Sequence, residues 1–515
     1  MATEIELKLA VSPAAMRGAA QLPWLRKLAS SPASRERLVS VYFDTSNFKL
    51  RHHGVSLRIR RAGRRKLQTI KAAANGSVAG RQEWEREVAV ERPDLALAKG
   101  TALAPLATRK LERSLRAVFE TKVERITMPL RIGDSEVEVA FDRGRIRTGA
   151  RSEQISEIEL ELKQGERADI ARVAERLAKS IPVAYGARPK AERGYALSAG
   201  EQGKPVEAYE IALARTASTG EAFAAIGLSC LNHFSANEAA VRRGEPEGIH
   251  QMRVGLRRLR AAISVFKEVA SGTDTDRIKT ELKWLAAQLA PARDFDVFVQ
   301  EGVAPLRREN PGQRREIALL EADLARKRDA GFLQAKTAVA SERYRKTVLR
   351  TALWLINGEW SKNADPLAVS RRDRPIGDFA QEALRRRTKK VARKARKLDK
   401  LGPQERHKLR IAVKKLRYAA DFFVGLAHSR RTKARKRFSK ELKSLQDALG
   451  KLNDIAVHEK LARQLARSRK RSTKLPQKAF AIGLLTGREK REARACMTAA
   501  IKAGASLSRV GALLR

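Results

Sequence analysis

Glu157-Ile158-Glu159-Leu160-Glu161-Leu162-Lys163 alternates charged and apolar residues without a break. In an extended chain successive side chains point to opposite faces, so one face of this segment is entirely charged and the other entirely apolar. The same grammar recurs at Glu4-Ile5-Glu6-Leu7-Lys8-Leu9 and at Val55-Ser56-Leu57-Arg58-Ile59-Arg60. Runs at 38–44, 66–73, 83–90 and 136–142 also read as strands, separated by Gly, Pro and Asn turn signals. Residues 1–200 are therefore expected to form a mainly antiparallel sheet.

Past Ser198-Ala199-Gly200-Glu201-Gln202-Gly203-Lys204-Pro205 the period changes to 3.6, and Ala, Leu, Lys and Arg dominate. The expected organisation is a strand domain at 1–200, a linker at 201–210 and an all-helical domain at 211–515.

The 515 residues carry 107 Lys+Arg against 58 Asp+Glu, a net charge of +49. Residues 1–200 hold 38 basic and 24 acidic residues, net +14, which leaves +35 for the helical half. Charge of this size, with 43% hydrophobic residues to build cores, points to folded domains with a polyanionic partner. Two cysteines far apart, Cys230 and Cys496, exclude a disulfide framework and a Cys-rich metal site, and fit a reducing, cytoplasmic setting. The start of the sequence has carboxylates where a secretory signal carries positive charge, and no apolar run approaches the roughly 18 residues needed to span a bilayer.

The helical half repeats itself. His250–Arg260 reads HQMRVGLRRLR and His407–Arg417 reads HKLRIAVKKLR, and Leu282–Val297 aligns without gaps on Leu442–Val457. Two related bundles are expected, at about 211–370 and 371–510. With each His at 0°, basic residues at offsets 3, 7 and 10 fall at about −60°, −20° and −80°, and apolar ones at offsets 2, 6 and 9 fall between about 180° and 240°. One stripe is His250, Arg253, Arg257 and Arg260, opposed by Met252, Leu256 and Leu259. The other is His407, Arg410, Lys414 and Arg417, opposed by Leu409, Val413 and Leu416. Like charges stacked at helical spacing repel unless an anion lies along them, and the duplication at matched angles favours anion binding over a merely solvated face.

Strand parity puts Glu4, Glu6 and Lys8 on one face, as it does Arg58 with Arg60, Thr69 with Lys71, and Glu157, Glu159 and Glu161 with Lys163. A closed sheet would set carboxylates on one wall, able to hold a hard divalent cation, and Lys/Arg on the other, able to hold phosphates. A solvated polar face is the alternative.

The His-x-x-Arg-x-x-x-basic-basic-Leu-Arg helices, with Leu445–Asp454 (LQDALGKLND), resemble the CHAD domain over roughly residues 211–510. That resemblance implies a groove lined by the two stripes with polyphosphate as ligand; the first copy departs from it at Leu289–Asp294 (LAPARD). Glu4-x-Glu6-x-Lys8 resembles the signature of the CYTH, or triphosphate tunnel metalloenzyme, family. Leu57–Arg60, Thr69–Lys71, Arg81–Glu87, Val123–Arg125, Phe141–Gly144, Glu157–Lys163 and Lys190 before Glu192–Tyr195 follow in the family's order, with Pro189 as a departure. The resemblance implies an eight-stranded antiparallel barrel with Glu4, Glu6, Glu157, Glu159 and Glu161 as ligands of Mg²⁺ or Mn²⁺. It implies Arg58, Arg60, Lys71, Arg125, Lys163 and Lys190 as triphosphate-binding residues and Glu4, Glu6, Lys8 and Glu85 as catalytic, with Asp142 as a supporting polar group.

The expected protein is an α+β multidomain chain, a strand barrel followed by a duplicated helical bundle. The expected function is metal-dependent hydrolysis of inorganic triphosphate or short polyphosphate, with polyphosphate binding and granule targeting by the helical half. The alternatives are a non-enzymatic polyphosphate-granule protein and, less favoured because no base-recognising set is evident, an adenylate cyclase. Nucleic-acid binding is disfavoured by an aromatic content of 5%, which offers few stacking platforms. No Gly-x-x-x-x-Gly-Lys-Ser/Thr phosphate loop occurs.

Overall fold

The computed structural model describes residues 5–73, 81–186, 188–426, 432–466 and 475–513. Met1–Lys204 together with Arg345–Asn363 make one compact unit, and Pro205–Tyr344 with Ala364–Arg515 make a second.

The first unit is built on one antiparallel sheet. Its strands are β1 (Ile5–Val11), β2 (Ser34–Asp44), β3 (Val55–Ala62), β4 (Arg65–Ala73), β5 (Arg81–Glu87), β6 (Arg116–Ile132), β7 (Ser135–Thr148), β8 (Arg151–Gln164) and β9 (Val183–Tyr185). Their order is β5-β4-β3-β2-β6-β7-β8-β1-β9. The expected eight strands are joined by a ninth of three residues, which pairs with the end of β1. Five strands separate β4 from β1 in this order, yet Lys71 of β4 lies close enough to Glu6 of β1 to act on its charge, so the sheet curls.

The charged face is the concave one. Lys8 is opposite Glu159, Glu6 opposite Glu161, Asp142 opposite both Arg125 and Glu157, and Tyr42 opposite Arg58. The apolar residues of the same strands, such as Leu7, Leu9, Leu57, Ile59, Val137, Val139 and Leu160, are buried on the outside. There they meet α1 (Pro13–Ala19), α2 (Pro23–Leu28) and α3 (Arg167–Ser180) or, over β3 and β4, the 95–111 segment through Ala98, Leu103 and Leu111. Polar atoms can line the interior because burial of the outer face supplies the hydrophobic stabilisation, about 25 cal/mol per Å² of apolar surface. Gly144 keeps β7 against β6: a Cβ there would lie 1.9 Å from the Lys122 carbonyl oxygen. A fourth helix, α4 (Lys190–Ser198), packs on β6, β7 and β8 from the concave side, burying Tyr195 and Leu197 among Phe119, Val123, Ile146 and Ile155.

The second unit is helical. The two predicted stripes fall on α5 (Pro246–Val265) and α7 (Pro403–Phe422), with α6 (Thr273–Val297) and α8 (Thr432–Ala466) following each. Both stripe helices are 20 residues long and begin with a proline four residues before the histidine, where a missing N–H costs nothing. Met252, Leu256 and Leu259, like Leu409, Val413 and Leu416, are fully buried, as the helical phase requires. No helix among the described residues is long and apolar enough to cross a membrane.

Candidate active site

Lys8, Lys190 and Arg125 converge on Glu159. Lys8 pairs with both Glu6 and Glu159, and the Arg125 guanidinium donates to Glu159 at 2.5 Å and to both oxygens of Asp142 at 2.7 and 2.6 Å. Lys190, the first residue of α4, lies 2.5 Å from Glu157, 2.6 Å from Asp142 and 3.0 Å from Glu159. Arg193, one turn further along, holds Glu157 at 2.8 Å and Glu153 at 2.6 Å. Asp142 is fully buried and Glu157 is 5% exposed, so these charges are neutralised by one another rather than by water.

The ionisation states follow. Burial works against the charged form of Glu159, but Lys190, Lys8 and Arg125 outweigh it and hold the carboxyl well below its ordinary value. Asp142 is lowered in the same way, against its burial, by Lys190 and Arg125. Glu6 goes the other way: burial and the Glu159 charge raise it despite Lys8. Lys190 and Lys8, surrounded by carboxylates, are raised although burial opposes it.

On the opposite wall stand Arg58 and Arg60 of β3 and Lys71 of β4. Lys71 pairs with Glu83 at 2.5 Å, and Arg58 reaches Glu83 at 3.5 Å and the Tyr42 hydroxyl at 3.3 Å. Glu85 accepts a bond from the Thr69 hydroxyl at 3.0 Å. Arg60 contacts only the Ser40 hydroxyl, at 3.4 Å, and makes no ion pair among the described residues. Burial and then the charges of Arg58 and Arg125 depress it to about 10. It remains protonated at neutral pH, within reach of the charges of Glu85 and Glu83 but with no carboxylate at ion-pair distance among the described residues.

The expected site residues Glu6, Lys8, Arg58, Arg60, Lys71, Arg125, Glu157, Glu159 and Lys190 share one concave face, and Glu161 and Lys163 lie further along it, outside the Glu159 cluster. Glu161 and Lys163 pair with each other at 2.7 Å, with Lys163 also 3.7 Å from Glu138. Glu4 lies outside the described residues. Among the described residues, Asp142, Glu157 and Glu159 bring carboxylate oxygens within 4.8 Å of one another, a hard-oxygen set that suits Mg²⁺ or Mn²⁺. Tyr42, Ser40, Glu83 and Arg193 belong to this face as well; parity on β2 and β5 was the signal that could have found the first three.

The second unit holds its own basic site. Helices α5 and α7 pack together, and the charges of Arg253, Arg257, Arg410 and Lys414 act on one another there. The acidic residues come from neighbouring helices: Asp294 of α6 lies 3.3 Å from Arg253, and Asp454 of α8 acts on Arg410 and Lys414. His407 bonds Asn453 at 3.0 Å. Burial, Arg410 and Arg257 pull Lys414 down to about 7, and burial and Arg293 lower His250. The Nε atoms of Arg257 and Arg410 are buried without a partner. Arg260 is exposed, and Arg417 faces Asp421 at 3.8 Å, so both ends of the stripes leave this cluster.

A curled antiparallel sheet with a charged concave face, and a helical unit with two matched basic helices, are the two architectures to compare with known proteins. Residues 2–195 match the CYTH domain and residues 225–463 match the CHAD domain. The chain is a CYTH domain joined to a CHAD domain. It is 32% identical over 202 residues to a protein of Haemophilus influenzae named inorganic triphosphatase, a match covering 38% of this chain and 55% of that protein. The chain thus spans about half the length of that relative. The solved CHAD domain from the plant Ricinus communis superposes with a TM-score of 0.50 at 29% identity, covering 60% of this chain and 97% of that one. PptA from Streptomyces chartreusis is similar at 20% identity and a TM-score of 0.42, over 56% of this chain and 99% of that one.

Proposed function

We propose that the strand domain hydrolyses inorganic triphosphate or short polyphosphate with Mg²⁺ or Mn²⁺, and that the helical domain binds polyphosphate and directs the protein to polyphosphate granules in the cytoplasm. The observation that carries the first part is a wall of cations, Arg58, Arg60 and Lys71, facing a carboxylate cluster, with Arg60 making no ion pair among the described residues. The name of the Haemophilus influenzae relative supports the same reading.

Arg58, Arg60 and Lys71 would hold the phosphate oxygens and fix the terminal phosphorus before the opposite wall. Asp142, Glu157 and Glu159 would hold the metal ion. When bound, the ion supplies Lewis-acid stabilisation of the phosphate charge and lowers the pKa of water. Lys8 and Arg125, tied to Glu159, keep that carboxylate ionised and oriented. Glu6 lies on the strand paired with that of Glu159, and Glu4 is its neighbour in the sequence signature. Little further covalent chemistry is required of the protein in phosphoryl transfer.

Phosphate release from inorganic triphosphate, measured with and without Mg²⁺ or Mn²⁺, tests this. Release should require the ion and fall at least about 100-fold in Glu159→Gln, the scale of losing one well-placed electrostatic group. Ion-independent release, or full activity in Glu159→Gln with an unchanged melting temperature, would reject the assignment.

A further inference from the structure

Lys190 sits among the three carboxylates that would hold a divalent ion. Its ammonium lies within 3.0 Å of an oxygen of Asp142, Glu157 and Glu159 alike, the same three carboxylates that converge to within 4.8 Å. The ammonium donates to Glu157 and Glu159 and is ion-paired with Asp142. We infer that Lys190 is the resident counter-cation of this cluster, that a divalent ion enters only as Lys190 leaves, and that triphosphate couples the two events by giving the displaced ammonium a new anion. This rests on the reading of Asp142, Glu157 and Glu159 as the metal site.

The geometry favours Lys190 as the group that moves. Arg125 is clamped by a two-point contact to Asp142, and Lys8 bridges Glu6 and Glu159 from the same strand pair. Lys190 extends from the first turn of α4 on a four-carbon stem with freely rotating bonds, so its ammonium can swing without the helix shifting. Retaining it beside an incoming ion would set three positive charges against oxygens that Arg125 and Lys8 already contact. Moving it toward the phosphates of a bound substrate turns that repulsion into an attraction. Metal and triphosphate then favour each other's binding, and by linkage the factor is the same in both directions.

The full-length protein is titrated with Mn²⁺ alone, followed by paramagnetic resonance, and again with imidotriphosphate, which it cannot hydrolyse at the bridging nitrogens. Lys190→Met should bind Mn²⁺ alone at least about tenfold more tightly than the wild type and gain little more from imidotriphosphate, within the range of ordinary coupling factors. Lys190→Arg, which keeps the charge, should stay weak. Glu159→Gln should weaken Mn²⁺ binding in every background. Affinity that is unchanged or lower in Lys190→Met, while Glu159→Gln still weakens it, overturns the inference and leaves the metal site standing. Wild-type affinity in Glu159→Gln removes the metal-site reading and the inference with it. Should Lys190→Met not fold, reductive methylation of the wild type mapped by mass spectrometry decides: saturating Mg²⁺ alone should raise labelling of Lys190, and unchanged labelling means that ion and ammonium coexist, which overturns the inference.

Discussion

At the scale of single residues, the molecule contains cations that their neighbours under-compensate and a bound anion would satisfy. Arg60 is one, so Arg60→Met should weaken triphosphate binding, seen as a KM raised at least about tenfold, while stabilising the protein by about 1 kcal/mol because a half-buried charge with no ion pair among the described residues is removed. A calorimetric scan should show the melting temperature rising by about 2–4 °C; a fall would mean that Arg60 is already paired. Lys414 is another. Its folded value of about 7 lies below its ordinary 10.5, so between these values the unfolded chain holds a proton that the folded one has released. Stability of the unliganded protein should therefore rise with pH across that window, and charged Lys414 below about pH 7 costs stability. A polyanion restores the proton, so polyphosphate affinity should fall as pH rises above 7, by up to about tenfold per pH unit. Titrations at constant ionic strength check the slope, and Lys414→Met should flatten it. Which cations lacked a partner could not be read from the sequence: parity and helical phase place residues on a face, but Glu83 pairs with Lys71 and Asp294 with Arg253 across elements that the sequence keeps apart.

At the scale of elements, β6 shows where pattern reading failed. Its buried residues are Phe119, Thr121 and Val123, then Met128 and Leu130, so the parity reverses along 17 residues. One end is covered on the concave side by α4 and the other on the outer side by α2, and two coverings on opposite faces erase a single period of two. Strands covered on one face throughout, such as β1 and the part of β8 at 157–163, kept their period and were legible. The small helix α4 matters as a carrier of Lys190 and Arg193, and Gly194 sets how closely it lies on the sheet. A Cβ at Gly194 would meet the Phe119 ring at 2.1 Å. That ring is stacked on Tyr42 at 4.4 Å and edge-on to Tyr195 at 5.2 Å, so it has little room to yield. Gly194→Val should destabilise the fold by about 1–3 kcal/mol through overpacking and lower triphosphate turnover by displacing Lys190. Adding Phe119→Leu should restore part of both; a double variant no better than the single one would place the fault elsewhere.

At the scale of the whole molecule, the duplication was legible because the helical phase and the sequence match agreed: the apolar residues opposite each histidine are the buried ones in both copies. What the sequence did not show is that the segment Arg345–Asn363, helical in its pattern, belongs with the first compact unit; hydrophobic periodicity reports which face is buried and not against which neighbour. The charge excess divides as +14 and +35 between the halves, so the helical half should be the stronger polyanion binder. Binding of long polyphosphate should depend steeply on salt, because each phosphate neutralised releases a counterion. The variant His250→Ala/Arg253→Ala/His407→Ala/Arg410→Ala removes two full charges at neutral pH, so the slope of log affinity against log salt should shrink by roughly 1.4, taking about 0.7 per contact as for a single-stranded polyanion. Its release of phosphate from triphosphate should match the wild type, since all four residues lie in the second unit. Binding with an unaltered slope would move the polyanion site away from the stripes, whereas a loss of triphosphate turnover would show that the two units act on one substrate rather than on two.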